Sequence, residues 1–243
     1  MVRPLSGRDG CLGLLVLALV AVALTAGSAC RRADAPSPGR DERPADTAAA
    51  ASGPRAGRPA IVVLGDSLTA GYGLPQEAAF PALLQQRLDA GGYAYDVVNM
   101  GVSGDTSAGG VSRLDWALDG DVRVLVLAIG ANDGLRGLST TELHDNLARM
   151  VDAAKARGVR VLLCGMQAPP NFGLGYTMAF REAYHDVASE KNVAFVPFLL
   201  EGVAGIPSLN QADGIHPNAD GARRVTDLVW THLEPLLEGL GAR

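Results

Sequence analysis

Between residue 60 and the end of the sequence, short apolar runs rich in β-branched residues alternate with segments of helical periodicity. This alternation is typical of βαβ units, which place parallel strands in one sheet and cover both faces of that sheet with helices. Several runs are apolar nearly throughout, as expected of strands that are buried on both faces. The sequence therefore predicts an α/β fold with a five-stranded parallel sheet, its strands at residues 60–65, 95–100, 122–130, 159–166 and 193–198.

Two of the intervening helices are especially clear. One is predicted over residues 140–157 and the other over the last part of the chain, because apolar residues recur there every three or four positions. These residues are Leu143, Leu147, Met150, Val151 and Ala154 in the first helix, and Val225, Leu228, Val229, Leu233, Leu236 and Leu237 in the second. In sheets of this kind ligands bind outside the carboxyl ends of the strands. Polar residues that follow the strands are therefore the candidates for a functional site.

Four polar clusters occupy such positions. Three of them follow the first three strands, and the fourth precedes the last helix. They read G-D-S-L at residues 65–68, N-M-G-V-S-G-D-T-S at 99–107, G-A-N-D-G-L-R-G at 130–137 and D-G-I-H-P-N at 213–218. The predicted fold brings all four clusters to one rim of the sheet.

Together these clusters contain the groups that acyl transfer to a serine requires. A serine hydroxyl needs a base to take its proton, and the base must be held in one tautomer. Asp213 and His216 are three residues apart. The carboxylate can therefore accept from Nδ1–H of the imidazole while Nε2 of the imidazole faces Ser67. The backbone N–H groups of Ser67 and Gly104 and the side-chain amide of Asn132 can converge as an oxyanion hole.

Each of these residues also has a structural interpretation without chemistry. Ser67 can cap a helix, and Asn218 can cap the last helix after a solvated Asp-x-x-His turn. Asn132 begins a good turn sequence, and Gly104 can simply permit a bend. The coincidence of four clusters with four required roles at one rim favours the catalytic interpretation.

Other candidate motifs are weaker. His144, His185 and His232 fall within helical patterns, and Asp66 is interpreted as structural because its side chain points away from that of its neighbour. Thr69 stands where the G-x-S-x-G elbow has its second glycine. No nucleotide-binding glycine motif is present, and no set of His, Cys and carboxylate residues has the spacing of a metal site. The sequence predicts neither a metal nor a cofactor.

The four clusters resemble the conserved blocks of the GDSL, or SGNH, hydrolase family, and in particular those of its bacterial thioesterase I/lysophospholipase/arylesterase branch. The resemblance extends from Ala60 to about Leu237. It implies a three-layer α/β/α flavodoxin-like fold and a catalytic triad of Ser67, His216 and Asp213 with no metal. It also implies a serine esterase acting on aryl esters, acyl thioesters and lysophospholipids.

Two other functions stay open at this stage. Related hydrolases remove acetyl groups from polysaccharides of the cell envelope, so a carbohydrate O-acetylesterase is the first alternative. The second is a lipoprotein that retains the fold only to bind a ligand. The complete set of Ser, Asp, His and Asn argues against this second alternative.

The acyl chain is expected to contact loops near the catalytic residues. Gly134, Leu135 and Arg136 follow Asn132, and the family resemblance suggests that this segment moves when an acyl chain binds. Phe172 is a candidate for the apolar wall, together with Pro170, Leu174 and Tyr176. An ordinary surface loop with a few core anchors is an equally good interpretation of both segments.

The first 59 residues differ in composition from the rest. Two arginines precede the apolar run Cys11 to Leu24, which is shorter than the roughly 18 residues of a membrane span. This pattern and the small residues that follow predict a signal peptide over residues 1–29. G-S-A-C at residues 27–30 resembles a lipobox, so Cys30 is a candidate for lipidation and membrane attachment, although cleavage after Ala29 by ordinary signal peptidase also fits. The protein is expected in the cell envelope, lipid-anchored or else periplasmic or secreted.

Residues 30–59 are rich in Pro, Ala and Arg and contain no Leu, Ile, Val or aromatic residue. Such a segment has no apolar surface to offset the entropy of ordering it, so it is predicted to be a disordered spacer before a domain at residues 60–243. That domain carries 13 Lys and Arg against 21 Asp and Glu, a net charge of −8, which argues against nucleic-acid binding. Cys164 lies in an apolar run and is expected to be buried. The sequence does not determine the oligomeric state, and a monomer is favoured.

Overall fold

The protein was analysed as a computed structural model that describes residues 57–240. The predicted signal peptide, Cys30 and nearly all of the predicted spacer lie outside the described residues. Arg58, which the sequence assigns to the spacer, donates to the carbonyl oxygen of Tyr93 at 2.9 Å and forms an ion pair with Asp96 at 3.4 Å. The contacts of the domain therefore begin before Ala60. No helix within residues 57–240 is both long and apolar enough to span a bilayer.

In the described part of the chain, five parallel strands form a single sheet in the order β2-β1-β3-β4-β5. Their bounds are β1 Ala60–Gly65, β2 Asp96–Gly101, β3 Val122–Ala128, β4 Arg160–Cys164 and β5 Ala194–Val196. The predicted α/β fold with a five-stranded parallel sheet is confirmed. The carboxyl ends of the five strands lie within two residues of the predicted positions. Strand β3 is shorter than predicted because the chain turns out of the sheet before Gly130, which has a φ of 112°.

Within residues 57–240, eight α-helices connect and cover these strands. They are α1 Ser67–Ala70, α2 Phe80–Ala90, α3 Ser107–Ser112, α4 Leu114–Ala117, α5 Ala131–Arg136, α6 Thr140–Ala156, α7 Leu174–Lys191 and α8 Ala219–Glu238. Short 3₁₀ helices lie at Gln76–Ala78, Pro170–Phe172 and Pro207–Leu209. The three histidines assigned to helical patterns lie in α6, α7 and α8.

The helices lie in two layers, one on each face of the sheet. Helices α2 and α8 pack against each other on one face, and α3, α6 and α7 pack together on the other. The chain moves outward from β1 to β2 and then returns to β3, so right-handed crossovers place α2 and α6 on opposite faces. The direction of winding therefore changes between β1 and β3, and the carboxyl ends of these two strands flank the crevice in which ligands bind in folds of this type.

The core lies between the sheet and these helices. The five apolar residues predicted for the inner face of α6 are all buried, as are Val225, Val229, Leu233 and Leu237 of α8. Leu228 and Leu236 are only partly buried at the edge of that face. Cys164 is fully buried, and burial raises the pKa of its thiol to about 12.

Candidate active site

Ser67 lies at the tight turn between β1 and α1. Asp66 caps this short helix by accepting a hydrogen bond from the backbone N–H of Leu68 at 3.0 Å. A Cβ atom on Gly65 would lie 2.5 Å from the carbonyl oxygen of Ala128, so only glycine permits the close approach of β1 and β3 here. Ser67 is the first residue of α1, and an N–H in this position has no acceptor within the helix.

The side chains of Asp213, His216 and Ser67 form a continuous hydrogen-bonded line. Nδ1 of His216 lies 2.7 Å from Oδ2 of Asp213, and Nε2 lies 2.9 Å from Oγ of Ser67. With the imidazole neutral, Nδ1–H donates to the carboxylate and Nε2 accepts from the serine hydroxyl. Ser67 and His216 are 149 positions apart in the sequence, so only the fold brings them together.

The turn that carries Asp213 and His216 is held by short-range contacts. Oδ1 of Asp213 accepts from the backbone N–H groups of Ile215 and His216 at 2.9 and 3.0 Å. Gln211 joins this turn to the serine loop, because its side-chain amide donates to the carbonyl oxygens of Tyr72 and Pro217 at 2.7 and 3.0 Å. The hydrogen bond from the imidazole, followed by those from the two N–H groups, lowers the pKa of Asp213 to about 2.

Gly104 and Asn132 lie across the crevice from this turn. Gly104 has a φ of +81°, a left-handed conformation that favours glycine. Asn132 donates one N–H of its amide to the carbonyl oxygen of Asp105 at 2.9 Å, which leaves the second N–H for another acceptor. Ser67, Gly104, Asn132 and His216 line the same cavity, so the structure brings together the four residue types that the sequence singled out.

A buried network beneath Asn132 was not foreseen from the sequence. Asp133 accepts from the backbone N–H of Ser107 at 2.8 Å and from its hydroxyl at 2.6 Å. Asn146 of α6 donates to the same hydroxyl at 3.0 Å. Ser107 and Asp133 are 0% and 4% exposed, so this network joins the start of α3 to α5 inside the protein. Ser107 and Asp133 each belong to one of the four polar clusters, but no sequence pattern indicated that the two residues pair.

Asp66 is the second buried carboxyl group at this rim. It is 1% exposed, and burial raises its pKa to about 6, against the opposing effect of the backbone N–H groups of Leu68 and Ala131. Its assignment as structural agrees with its role as the cap of α1. It also lies between the ends of β1 and β3, which carry Ser67 and Asn132.

The cavity above these residues has a volume of about 450 Å³, within the range of pockets that bury small ligands. Apart from the polar groups at its base, its walls are mainly apolar. They are formed by Leu68, Tyr72, Ala131, Leu135, Met166, Ala168, Pro169, Phe198, Leu200, Ala204 and Ile215. This arrangement suits a reacting carbonyl that is attached to a hydrocarbon chain.

Of the four residues predicted to bind substrate, Leu135 alone lines this cavity. Gly134 is buried in α5 against Phe180, and Arg136 donates from Nη2 to the carbonyl oxygen of Gly104 at 2.7 Å. The ring of Phe172 packs against Tyr176 at a centroid distance of 5.3 Å and covers Gly137. The predicted wall does not surround the cavity because residues 170–172 turn in a 3₁₀ helix and α7 carries the following residues away.

Comparison with known proteins identifies the class. Residues 63–224 match the model of the GDSL-like lipase/acylhydrolase family, and the chain belongs to this family. The esterase TesA of Pseudomonas aeruginosa is 48% identical over 178 residues, which are 73% of this chain and 89% of the relative. Thioesterase 1/protease 1/lysophospholipase L1 of Escherichia coli K12 is 37% identical over 178 residues, 73% of this chain and 84% of the relative.

A crystal structure of TesA has a TM-score of 0.71 to this chain, with 47% sequence identity, and the match covers 73% of this chain and 99% of that one. The protein is therefore a carboxylic ester hydrolase of the thioesterase I/arylesterase branch of the family.

Proposed function

We propose that the protein hydrolyses carboxylic esters and thioesters of apolar acyl chains through an acyl-enzyme intermediate on Ser67. The observation that carries this proposal is the line from Asp213 through His216 to Ser67, with distances of 2.7 and 2.9 Å, at the base of a cavity with apolar walls. The geometry supplies a base within reach of the nucleophile and an orienting carboxylate within reach of the base.

In the first half of the reaction, Oγ of Ser67 attacks the carbonyl carbon, and its proton passes to Nε2 of His216. Asp213 stays ionised and stabilises the imidazolium that forms. The carbonyl oxygen becomes an oxyanion, which accepts from the N–H groups of Ser67 and Gly104 and from the free amide N–H of Asn132. The imidazolium then donates its proton to the leaving oxygen or sulfur as that bond to carbon breaks.

In the second half, water replaces the leaving group. His216 takes one proton from the water, whose oxygen attacks the acyl carbon of the ester on Ser67. Collapse of this second tetrahedral intermediate breaks the bond between the acyl carbon and Oγ, and His216 returns the proton to Oγ. The acid product leaves and the enzyme regains its starting state.

The acyl preference follows from the cavity walls. Each methylene group that leaves water contributes about 0.8 kcal/mol, so an apolar cavity of about 450 Å³ favours a medium or long acyl chain over an acetyl group. The names of the relatives include arylesterase, thioesterase and lysophospholipase. We therefore propose aryl esters, acyl thioesters and lysophospholipids as substrates of this chain.

The decisive experiment is hydrolysis of nitrophenyl acetate, octanoate and palmitate, an octanoyl thioester and a lysophospholipid by wild type and Ser67→Ala. We expect a preference for octanoate over acetate and a loss of all five activities in the variant. A preference for acetate would favour the carbohydrate O-acetylesterase instead. Full activity of Ser67→Ala would exclude the acyl-enzyme mechanism.

Export and lipidation of Cys30 are part of the proposal. The described chain enters β1 at the amino edge of the sheet, opposite to the rim that carries the site. A tether through Cys30 would therefore join the described domain on the side opposite to the site. Incorporation of labelled palmitate into wild type, with none into Cys30→Ser, is the expected result. Equal labelling of the two proteins would exclude this anchor.

A further inference from the structure

One largely buried arginine contacts three of the chain segments that form the rim of the site. We propose that Arg113 is a positioning residue that aligns the donors of the oxyanion hole. This inference rests on the proposed mechanism, and it assigns a role to a residue outside the four sequence clusters.

The guanidinium of Arg113 uses each of its three nitrogen atoms. Nε donates to Oδ2 of Asp105 at 2.7 Å, Nη1 to the carbonyl oxygen of Met100 at 2.5 Å, and Nη2 to the carbonyl oxygen of Gly65 at 2.7 Å. The side chains of Arg113 and Asp105 are only 14% and 15% exposed. A planar fork of fixed geometry satisfies three acceptors at once, whereas the single ammonium of lysine does not reproduce that fork.

Two of these three contacts are close in sequence to a proposed oxyanion donor. Gly65 is two residues before Ser67, and Asp105 directly follows Gly104. The backbone carbonyl of Asp105 in turn accepts from the amide of Asn132 at 2.9 Å. Arg113 therefore joins the end of β1, the end of β2 and the Gly104 loop, and through Asp105 it also fixes the amide of Asn132.

Two other arginine ion pairs of the described domain are far more exposed. Arg123 pairs with Asp121 two residues away, and their side chains are 54% and 58% exposed. Arg157 pairs with Asp115, whose side chain is 92% exposed. Pairs this exposed contribute little to stability, and neither contacts the residues around Ser67. Arg123 is therefore a matched control for Arg113.

The expected signature is a loss of transition-state stabilisation with little change in substrate binding. An oxyanion hole acts only when its donors point at one position, and a displacement of 1 Å can reduce the rate by about 10²-fold. The apolar walls that bind the acyl chain belong to other segments. Loss of Arg113 should therefore lower kcat and leave KM nearly unchanged, because the donors act mainly in the transition state.

The test compares wild type, Arg113→Lys, Arg113→Met and Arg123→Met on nitrophenyl octanoate, with rates normalised to the folded fraction from thermal melting. Octylboronic acid is the second probe, since it forms a tetrahedral adduct with a serine hydroxyl. We expect both Arg113 variants to lose about 10- to 100-fold in kcat with KM within about threefold of wild type. The inhibition constant of the boronic acid should rise by the same factor as kcat/KM falls, and Arg123→Met should match wild type.

The proposal is overturned if kcat of the folded Arg113→Lys protein is within about threefold of wild type, or if KM rises as much as kcat falls. It is also overturned if boronic acid inhibition is unchanged while kcat drops. Arg113→Lys decides the result if Arg113→Met does not fold, because lysine keeps the charge and most of the volume. Ser67→Ala, measured in parallel, separates the two hypotheses: activity retained there removes the proposed mechanism, whereas an inactive Ser67→Ala beside an unimpaired Arg113→Lys removes only the role of Arg113.

Discussion

The two sides of the candidate site are built in different ways. On one side, Asp213 and His216 are three residues apart on a solvent-facing turn, and Asp213 is held by N–H groups of the same turn. On the other, Gly104 and Asn132 depend on contacts such as that between Asp133 and Ser107, which are 26 residues apart and buried. The base side is thus encoded locally, whereas the oxyanion side depends on the packing of the whole rim.

The pKa values of two carboxyl groups at the site, those of Asp213 and Asp66, are shifted in opposite directions. Hydrogen bonds lower the pKa of Asp213 to about 2, so it is ionised throughout the physiological range. Burial raises the pKa of Asp66 to about 6, so the folded protein disfavours its charge. One carboxylate is suited to stabilising an imidazolium. The raised pKa of Asp66 shows that burying its charge in the turn that presents Ser67 is unfavourable.

The largest effect that distinguishes the two sides is expected for Asp213→Asn. Asparagine keeps an oxygen that accepts from the N–H groups of Ile215 and His216, but it removes the charge that orients and stabilises the imidazole. We expect kcat for nitrophenyl octanoate to fall by about 10³- to 10⁴-fold, while the melting temperature falls only slightly, because the ion pair that is lost lies on an exposed turn. A kcat within tenfold of wild type would show that the carboxylate is dispensable, and a large fall in melting temperature would contradict the local character of this side.

On the oxyanion side, Asp133→Ala should reduce stability as well as activity. The substitution leaves the buried N–H and hydroxyl of Ser107 without their shared acceptor, which should lower the free energy of unfolding by about 3–4 kcal/mol. Urea denaturation measures this loss. Asp145→Ala on α6 is the control, since Asp145 is exposed and pairs only with the adjacent His144; it should change the free energy by less than about 0.5 kcal/mol. Equal effects of the two substitutions would contradict the buried network.

Asp66 allows a test through pH. Its pKa is about 6 in the folded protein against 3.8 for an ordinary aspartate, so the folded state binds more protons between these values and stability falls as pH rises through that window. The difference of about 2.2 pKa units corresponds to about 3 kcal/mol. Measured against Asp66→Asn, in which this titration is absent, wild type should lose about that much unfolding free energy between pH 4 and pH 7. A constant difference between the two proteins would contradict the burial effect.

Asp213 should change stability with pH in the opposite direction to Asp66. Its folded pKa of about 2 lies below the ordinary 3.8, so its contribution to stability is complete above pH 4 and is lost as pH falls toward 2. The two titrations therefore occupy separate windows. The difference between wild type and Asp66→Asn from pH 4 to pH 6 therefore reports on Asp66 and not on Asp213.

The same contrast explains what could be predicted from the sequence. Strands, the inner face of α6 and the pair of Asp213 and His216 depend on periodicity or short spacing, and both features are visible in one dimension. The contacts of Arg113 reach 48 residues along the chain to Gly65, and no local pattern marks them. The short helix α5 was predicted only as a turn or loop because its few residues follow a glycine-rich strand end.

The cavity walls were the hardest feature to predict. Met166, Phe198 and Leu200 follow β4 and β5, where apolar residues are indistinguishable from core residues in the sequence. Met166 is 6% exposed and Leu200 is 7% exposed, yet both line the cavity. Whether such a side chain faces a neighbouring helix or an open pocket depends on the loops above it. The prediction instead selected Phe172, a prominent aromatic residue in the loop that follows β4.

The smallest predicted effect tests whether the oxyanion side also selects the acyl chain. Leu135 follows Asn132 on α5 and lines the cavity, whereas Phe172 lies outside it; the two are 44% and 41% exposed. Leu135→Ala should lower kcat/KM for nitrophenyl octanoate by about fivefold, the equivalent of about 1 kcal/mol of lost apolar contact, with little effect on the acetate. Phe172→Ala should change kcat/KM for the octanoate and for the acetate by no more than about twofold, because the ring of Phe172 packs on Gly137 and Tyr176 outside the cavity. If Phe172→Ala shifts the chain-length preference and Leu135→Ala does not, the acyl chain binds along α7 and the cavity between the two sides holds the leaving group.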